Sequence, residues 1–120
     1  MIKISLSGRI PSKKNSKVMI CRGSRPILLP SKSYREWQEA KSWELKAQKL
    51  PKLEGFKKIE ITIYAPDKRS ADLSNKTESI MDLLVDNGVI EDDNWFICGR
   101  IEMIFGGVDT QNPRADILID

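Results

Sequence analysis

Apolar and polar residues alternate in four stretches of the chain, the pattern of a β-strand with one buried face. The alternation covers residues 2–6, 59–64, 95–105 and 115–119. Two shorter apolar runs at residues 18–21 and 27–29 predict a hairpin around an RGSRP turn. Gly99 is expected to form a β-bulge in the third stretch, and Gly106 and Gly107 are expected to open a loop that runs to Pro113.

A first helix of about 17 residues is predicted after Pro30, with Ser31 or Ser33 as its N-cap and with Pro51 and Gly55 ending it. The apolar side chains expected to face the core are Tyr34, Trp37, Ala40, Trp43, Ala47 and Leu50. Because both indoles fall among these apolar positions, packing in the core is favoured over stacking on DNA bases.

A second helix is predicted over residues 72–86, where the periodicity separates an apolar face from an acidic one. The apolar stripe consists of Leu73, Thr77, Ile80, Met81, Leu84 and Val85, and the opposite arc of Asp72, Asn75, Glu78, Asp82 and Asp86. Asp72 suits the N-cap because its carboxylate accepts backbone N–H bonds at the positive end of the helix dipole. Gly88 suits the position just past the helix, which should therefore end near Asn87.

The predicted elements run strand, hairpin, helix, strand, helix, strand, strand along 120 residues, without repeats or linkers. A chain of this length forms one domain, residues 1–120. The predicted fold class is α/β (α+β): a single two-layer domain with a mixed β-sheet and two helices packed on it.

The composition excludes several kinds of chemistry. The chain has no histidine, which rules out His-based acid–base catalysis, Cys–His and Ser–His dyads and ordinary zinc sites. Its two cysteines, Cys21 and Cys98, are expected to be reduced, buried thiols in a cytoplasmic protein. No stretch approaches the roughly 18 apolar residues of a membrane span, and there is no signal-peptide pattern. We therefore expect neither a membrane nor a small-molecule cofactor as a partner.

Charge is divided unevenly along the chain. Residues 1–60 carry 15 Lys/Arg against 5 Asp/Glu, a net charge of +10, whereas residues 61–120 carry 5 against 12, a net charge of −7. A basic half joined to an acidic half suits a protein that binds a polyanion and holds metal ions beside it, although surface composition alone also produces such a division. The loop at residues 8–16 fits phosphate binding through Lys13 and Lys14, with Lys17 just beyond it, and fits a solvated connection equally well.

Acidic residues occur at both ends of the second helical segment. Asp72 stands at its start, and Glu91, Asp92 and Asp93 follow the tight return after Gly88. One helix and one turn separate the two groups, an arrangement that can bring them together. By itself this pattern favours a solvated acidic helix face over a metal site.

Three segments in this order make the chain similar to the RusA family of Holliday-junction resolvases, small phage-associated endonucleases. The segments are PSKKNS at residues 11–16, SKSYREWQE at residues 31–39, and DKRSADLSN…DLLVDNGVIEDD at residues 67–93. The last resembles the family signature, an Asp-x-Asp-Asn-x-x-Lys run followed about 20 residues later by Asp-Asp. The resemblance implies a homodimer that binds branched DNA (a four-way junction) and hydrolyses phosphodiesters with Mg²⁺, or with Mn²⁺ as an alternative, held by clustered aspartates.

The resemblance and the residue types together predict the site residues. Asp72, Asp92 and Asp93 are the expected metal ligands, with Glu78 as a fourth, and Asn75 orients a ligand or a water; these five are the catalytic set. Contacts with DNA are expected from Lys13, Lys14, Asn15, Lys17, Lys68, Arg69 and Lys76.

Two positions depart from the family signature. Ser74 replaces its second aspartate and Glu78 its lysine. Positions 74 and 78 are neighbours on a helix, so the carboxylate of Glu78 could reach toward the place vacated at Ser74. Three readings therefore stand: a junction endonuclease, a junction-binding protein with weak or lost cleavage, and a protein-interaction module.

Overall fold

The structure, a computed structural model, describes residues 1–55 and 57–120. The elements are β1 (Ile2–Ser7), β2 (Lys17–Arg22), β3 (Arg25–Pro30), α1 (Lys32–Ala47), β4 (Lys57–Ala65), α2 (Leu73–Asp86), β5 (Cys98–Val108) and β6 (Arg114–Ile119). They form one domain with two helices on a mixed sheet, so the predicted fold class is confirmed.

Four strands make the main sheet, in the order β1-β6-β4-β5. The chain leaves β4, crosses through α2 and returns as β5, which runs parallel to β4; the other pairings are antiparallel. β6 lies between β1 and β4, so Ile117 pairs with Ile4 on one side and with Ile61 on the other. β5 is left as an edge strand, and β2 and β3 form a separate two-stranded hairpin.

The core lies between the sheet and the helices. Its fully buried side chains come from the alternating strands and from the apolar stripe of α2, and include Ile61, Ile117, Ile80 and Leu84. Burying a side chain of this size stabilises the fold by about 1.5–3 kcal/mol relative to leaving it exposed. α2 begins after Asp72, and Gly88 has a φ of +70°, which places it just past the helix as predicted.

The inward face of α1 differs from the predicted one. Tyr34 and Leu45 are buried and Trp37 is partly buried, but Trp43 is 66% exposed and Ala40 and Ala47 are also exposed. At about 100° per residue, position 43 lies on the side of the helix opposite to position 34, whereas position 45 returns to the same side. The prediction that both indoles belong to the core is therefore wrong for Trp43, whose ring has the Lys46 ammonium 4.9 Å from its centroid.

Several local predictions are corrected around β5 and the hairpin. Gly99 lies opposite the register shift and forms the expected bulge. Gly106 and Gly107 continue β5 instead of opening a loop. A Cβ at Gly106 would come within 2.6 Å of the Tyr64 ring, so glycine suits this close approach of β4 and β5. Trp95 precedes the strand and is exposed, because the chain turns there.

Cys98 is a buried free thiol, but Cys21 is exposed because the hairpin that carries it lies outside the core.

Within the residues that the structure describes, no helix is long and apolar enough to cross a membrane.

Candidate active site

The basic loop after β1 is attached to the middle of α2. The Ser79 hydroxyl donates a hydrogen bond to the carbonyl oxygen of Pro11 (2.8 Å) and accepts one from the backbone N–H of Lys13 (3.0 Å). Ser79 is fully buried, so this double contact is shielded from water. The loop is therefore held along α2 instead of extending into solvent as a simple connection. Ser79 is not among the predicted site residues, and its one signal in the sequence is a hydroxyl among the apolar positions of the helix.

Lys13 forms an ion pair with Asp82, one turn further along α2. The hydrogen bond to Asp82 raises the pKa of Lys13 against the opposing effect of burial, and Glu78 adds a smaller attraction. Lys13 was predicted to contact DNA, whereas the structure shows it neutralising a carboxylate. Asp82 lies on the predicted acidic arc of α2 but is not among the predicted site residues.

At the start of α2, Asp72 acts as the predicted N-cap. Its Oδ1 accepts the backbone N–H of Ser74 (3.2 Å) and the Ser74 hydroxyl (2.8 Å). Ser74, one of the two departures from the signature, therefore braces Asp72 instead of supplying a second carboxylate. Asp72 remains exposed.

Asp92 and Asp93 lie side by side in the turn before β5. Asp92 accepts hydrogen bonds from the Asn94 amide (2.7 Å) and the Asp93 backbone N–H (2.8 Å), which lower the pKa of its carboxyl. The pKa of Asp93 is raised, first by burial and then by Asp92, with a further contribution from Asp82. Burial disfavours the charged carboxylate of Asp93, and the neighbouring carboxylates of Asp92 and Asp82 add to that effect.

The predicted catalytic residues therefore fall into two groups. Asp93 lies close enough to Asp82 for the two charges to repel, and Asp82 pairs with Lys13. Asp72 lies at the start of α2, about 15 Å from Asp82 along the helix axis at 1.5 Å per residue. Within residues 1–55 and 57–120, no three Asp, Glu or Cys side chains are close enough to hold a metal ion together. The four-ligand site of Asp72, Asp92, Asp93 and Glu78 is not assembled there, and their joint metal binding stays a prediction.

Asp72 shares a cavity of about 470 Å³ with several predicted partners. We call it the acidic-end cavity. It is lined by residues of the loop, α1 and α2, among them Asn15, Asp72, Asn75 and Lys76, together with Arg9. Burial lowers the pKa of Lys76, and Arg9 and Arg69 lower it further by repulsion. A half-buried cation repelled by other cations is a natural partner for an anion such as a phosphate. Arg9 was not among the predicted DNA contacts.

The remaining predicted DNA contacts are on the surface. Lys14 is exposed on the loop, and Lys17 is exposed at the start of β2. Lys68 is exposed in the segment before α2. The Arg69 guanidinium donates to Asp67 Oδ2 at 2.8 and 3.1 Å, and the Arg69 N–H donates to Asp67 Oδ1 at 3.0 Å. Arg69 is thus held in place by an acidic neighbour that partly offsets its charge.

Comparison with known proteins decides the family. The profile of the family described as Endodeoxyribonuclease RusA matches residues 8–120. The chain belongs to the RusA family. It is also 28% identical over 94 residues to the crossover junction endodeoxyribonuclease RusA of Aquifex aeolicus (strain VF5), an alignment that covers 78% of this chain and 72% of that protein.

RusA proteins are endodeoxyribonucleases that resolve Holliday junctions, which confirms the nuclease class predicted from the resemblance. The matched region begins at Gly8 and contains the whole anchored loop, α2 and the Asp92–Asp93 turn. Every predicted site residue therefore lies inside the RusA match.

Proposed function

We propose that this protein is a Mg²⁺-dependent endodeoxyribonuclease that cuts four-way DNA junctions as a homodimer. The observation that carries the proposal is the acidic-end cavity, where Asp72 and Asn75 stand beside the cations Arg9 and Lys76. Cations that are short of acidic partners attract the DNA phosphates, and a carboxylate beside them is in place to serve the hydrolysis of a neighbouring phosphodiester.

The residue types favour a metal ion over side-chain acid–base catalysis. The chain has no histidine, and its site is built from carboxylate, amide and hydroxyl oxygens. Mg²⁺ prefers oxygen ligands, and when bound it supplies an activated water and neutralises charge that grows on the phosphate. Asp72, Asp92 and Asp93 are the residues proposed to hold it. Asp72 lies apart from Asp92 and Asp93 in the structure. The proposal of metal dependence is therefore supported by the residue types and by the family.

Nicking of a synthetic four-way junction tests the proposal. Asp72→Asn and Asp93→Asn should each abolish nicking in Mg²⁺ and leave junction binding equal or slightly tighter, because negative charge near the DNA is removed. Asparagine also caps helices well, so Asp72→Asn should keep α2 intact. Asp86→Asn is the matched control, since Asp86 is exposed on the same helix beyond the site.

Nicking by either site variant at the wild-type rate would remove Asp72 or Asp93 from the site. Nicking by the wild type in EDTA would contradict metal dependence, and replacing Mg²⁺ with Mn²⁺ tests the second ion.

A second candidate is a junction-binding protein with weak or lost cleavage. Ser74 favours this candidate. The family signature has an aspartate at this position, whereas the Ser74 hydroxyl supplies no carboxylate and donates a hydrogen bond to Asp72. A gel shift of the junction in EDTA, combined with no nicking in Mg²⁺ or Mn²⁺, would establish this function instead.

The dimer is supported by apolar surface on the β2–β3 hairpin. Met19 and Leu28 pair across its strands and are 66% and 60% exposed. An isolated two-stranded hairpin is marginal in water, and exposed apolar patches mark interaction sites. Sedimentation velocity should give a dimer, and a monomer at micromolar concentration would contradict this part of the proposal.

A further inference from the structure

A second cavity, of about 410 Å³, lies between the N-terminus of α2 and the open edge of the sheet. We call it the edge cavity. Its walls are apolar and include Ile63, Ala65, Leu73, Phe105 and Val108. Its volume falls in the range of sites for small organic groups, which are lined mainly by apolar and aromatic side chains.

Phe105 provides a flat aromatic wall of this cavity. It pairs with Ile63 across β4 and β5, so both side chains lie on the sheet face that carries the helices. Ile63 is buried, but Phe105 is on the edge strand and remains 58% exposed. An exposed phenyl ring that lines a cavity offers a surface on which another planar ring can stack.

The rim of the edge cavity is cationic. Arg9, Lys68 and Lys76 line it, together with the Arg69–Asp67 pair. Among residues 1–55 and 57–120, Lys76 forms no ion pair, although it is only partly exposed. Arg9 and Lys76 also line the acidic-end cavity that contains Asp72. These two cations therefore stand between an apolar cavity on one side and the candidate active site on the other.

We propose that the edge cavity receives one unpaired nucleobase of a DNA strand, stacked on Phe105, while the adjoining phosphate lies between Arg9 and Lys76. The inference rests on the proposed function and adds a nucleotide-binding site to it. A nucleotide matches the site because it joins a planar apolar ring to an anion. The strand then continues from the shared cations toward Asp72.

This site would favour branch points over continuous duplex. Placing a base in a pocket requires it to leave the helical stack, and that cost is lowest where the base is already unpaired or poorly stacked. Stacking of a base on an aromatic side chain contributes binding without depending on which base is present. The edge cavity would thus recognise an open junction centre rather than a sequence.

Paired changes in the protein and in the DNA test the proposal. Binding is measured by fluorescence anisotropy in EDTA, with four-way junctions in which each nucleotide near the crossover is replaced in turn by an abasic residue. For the wild type, replacement at one position should weaken binding about tenfold, the loss expected for one base–aromatic stack. Phe105→Ala should weaken binding of the intact junction by a similar factor, yet bind that abasic junction as the wild type does.

Controls separate stacking from other effects. Phe105→Tyr should retain binding because it keeps the ring, and Phe105→Leu, which keeps apolar bulk, should behave like Phe105→Ala. Trp43→Ala removes another exposed aromatic that lines neither cavity and should bind every junction normally.

Additive losses at every abasic position, or unchanged binding by Phe105→Ala, would overturn the edge-cavity proposal while leaving the junction nuclease intact. Conversion of a dimer to a monomer by Phe105→Ala would also overturn it, because Phe105 would then belong to an interface between copies. Failure of the wild type to bind any junction would instead contradict the proposed function.

Discussion

Lys13, in the loop after β1, forms an ion pair with Asp82 on α2. The same residue is tied to α2 through its backbone, since its N–H donates to the buried Ser79 hydroxyl. Lys14, the next residue, is exposed and has no ion pair among the residues that the structure describes. These two adjacent lysines were both predicted to contact DNA, but the structure gives them different surroundings. Lys13 holds the loop on α2, and Lys14 faces solvent.

We expect this difference to appear in a comparison of Lys13→Ala with Lys14→Ala. Lys14→Ala should weaken binding of junction and duplex alike, and should reduce the slope of log K against log salt by about 0.9 if one phosphate contact is lost. Its free energy of unfolding should not change. Lys13→Ala should lower that free energy by about 0.2–1 kcal/mol, the range for a partly exposed ion pair. Equal salt slopes for Lys14→Ala and the wild type would show that Lys14 contacts no phosphate.

Ser79→Ala should loosen the loop from α2. The change leaves the Pro11 carbonyl and the Lys13 N–H without their buried partner, and the cost of unsatisfied buried polar groups is about 1–3 kcal/mol. Chemical denaturation should show this loss, and proteolysis should cut the loop faster than in the wild type. Ser24→Ala is a control on an exposed serine in the turn between β2 and β3, and an equal loss of stability there would argue against a specific role for Ser79.

The departures at positions 74 and 78 are tested by single-turnover nicking at several Mg²⁺ concentrations. If Glu78 takes over the role of the missing aspartate, Glu78→Gln should be severely defective, and adding Ser74→Asp should restore much of the activity because the two positions are coupled. The structure places Glu78 at the surface beside Lys13 and couples Ser74 to Asp72. A nearly silent Glu78→Gln in an active enzyme would contradict compensation, and Ser74→Asp alone should then raise a weak activity.

Glu44 links α1 to β1 and should make stability depend on pH. Its Oε1 accepts the Ser7 N–H (2.6 Å) and its Oε2 accepts the Lys41 ammonium (2.7 Å). Burial alone would raise the pKa of Glu44, but the hydrogen bonds from Lys41 and Ser7 outweigh it, and the pKa is lowered. A lowered folded-state pKa stabilises the protein above the unfolded-state pKa of about 4.3, and that contribution disappears as the pH falls through the folded-state value.

Glu44→Gln should therefore unfold more easily than the wild type near pH 7, and the difference should be smaller at about pH 3, below the unfolded-state pKa. Thermal melts across this pH range measure it. Glu39→Gln, on the exposed side of α1, should show little difference at any pH. A stability gap for Glu44→Gln that is the same at both pH values would show that the Glu44 charge is not what matters.

The sequence by itself determined the features that depend on neighbouring residues. The Asp72 cap, the stripe of α2 and the stop at Gly88 are encoded within about 17 residues, and the structure confirms them. The alternating strands were also recognisable, because period-two burial is a local pattern. The resemblance to RusA proteins rested on such local segments, and the family match over residues 8–120 confirms it.

Only the tertiary structure decided which distant residues meet. The contact of Ser79 with Pro11 joins positions 68 apart, and no local pattern marks a buried serine as a loop anchor. Phe105 reads as a core residue of an alternating strand, but the sheet order leaves β5 at the edge, where the helices cover Ile63 and not Phe105. Strand order and helix placement are set by packing of the whole domain, so the cavities and the division of the aspartates into two groups follow from that packing rather than from sequence spacing.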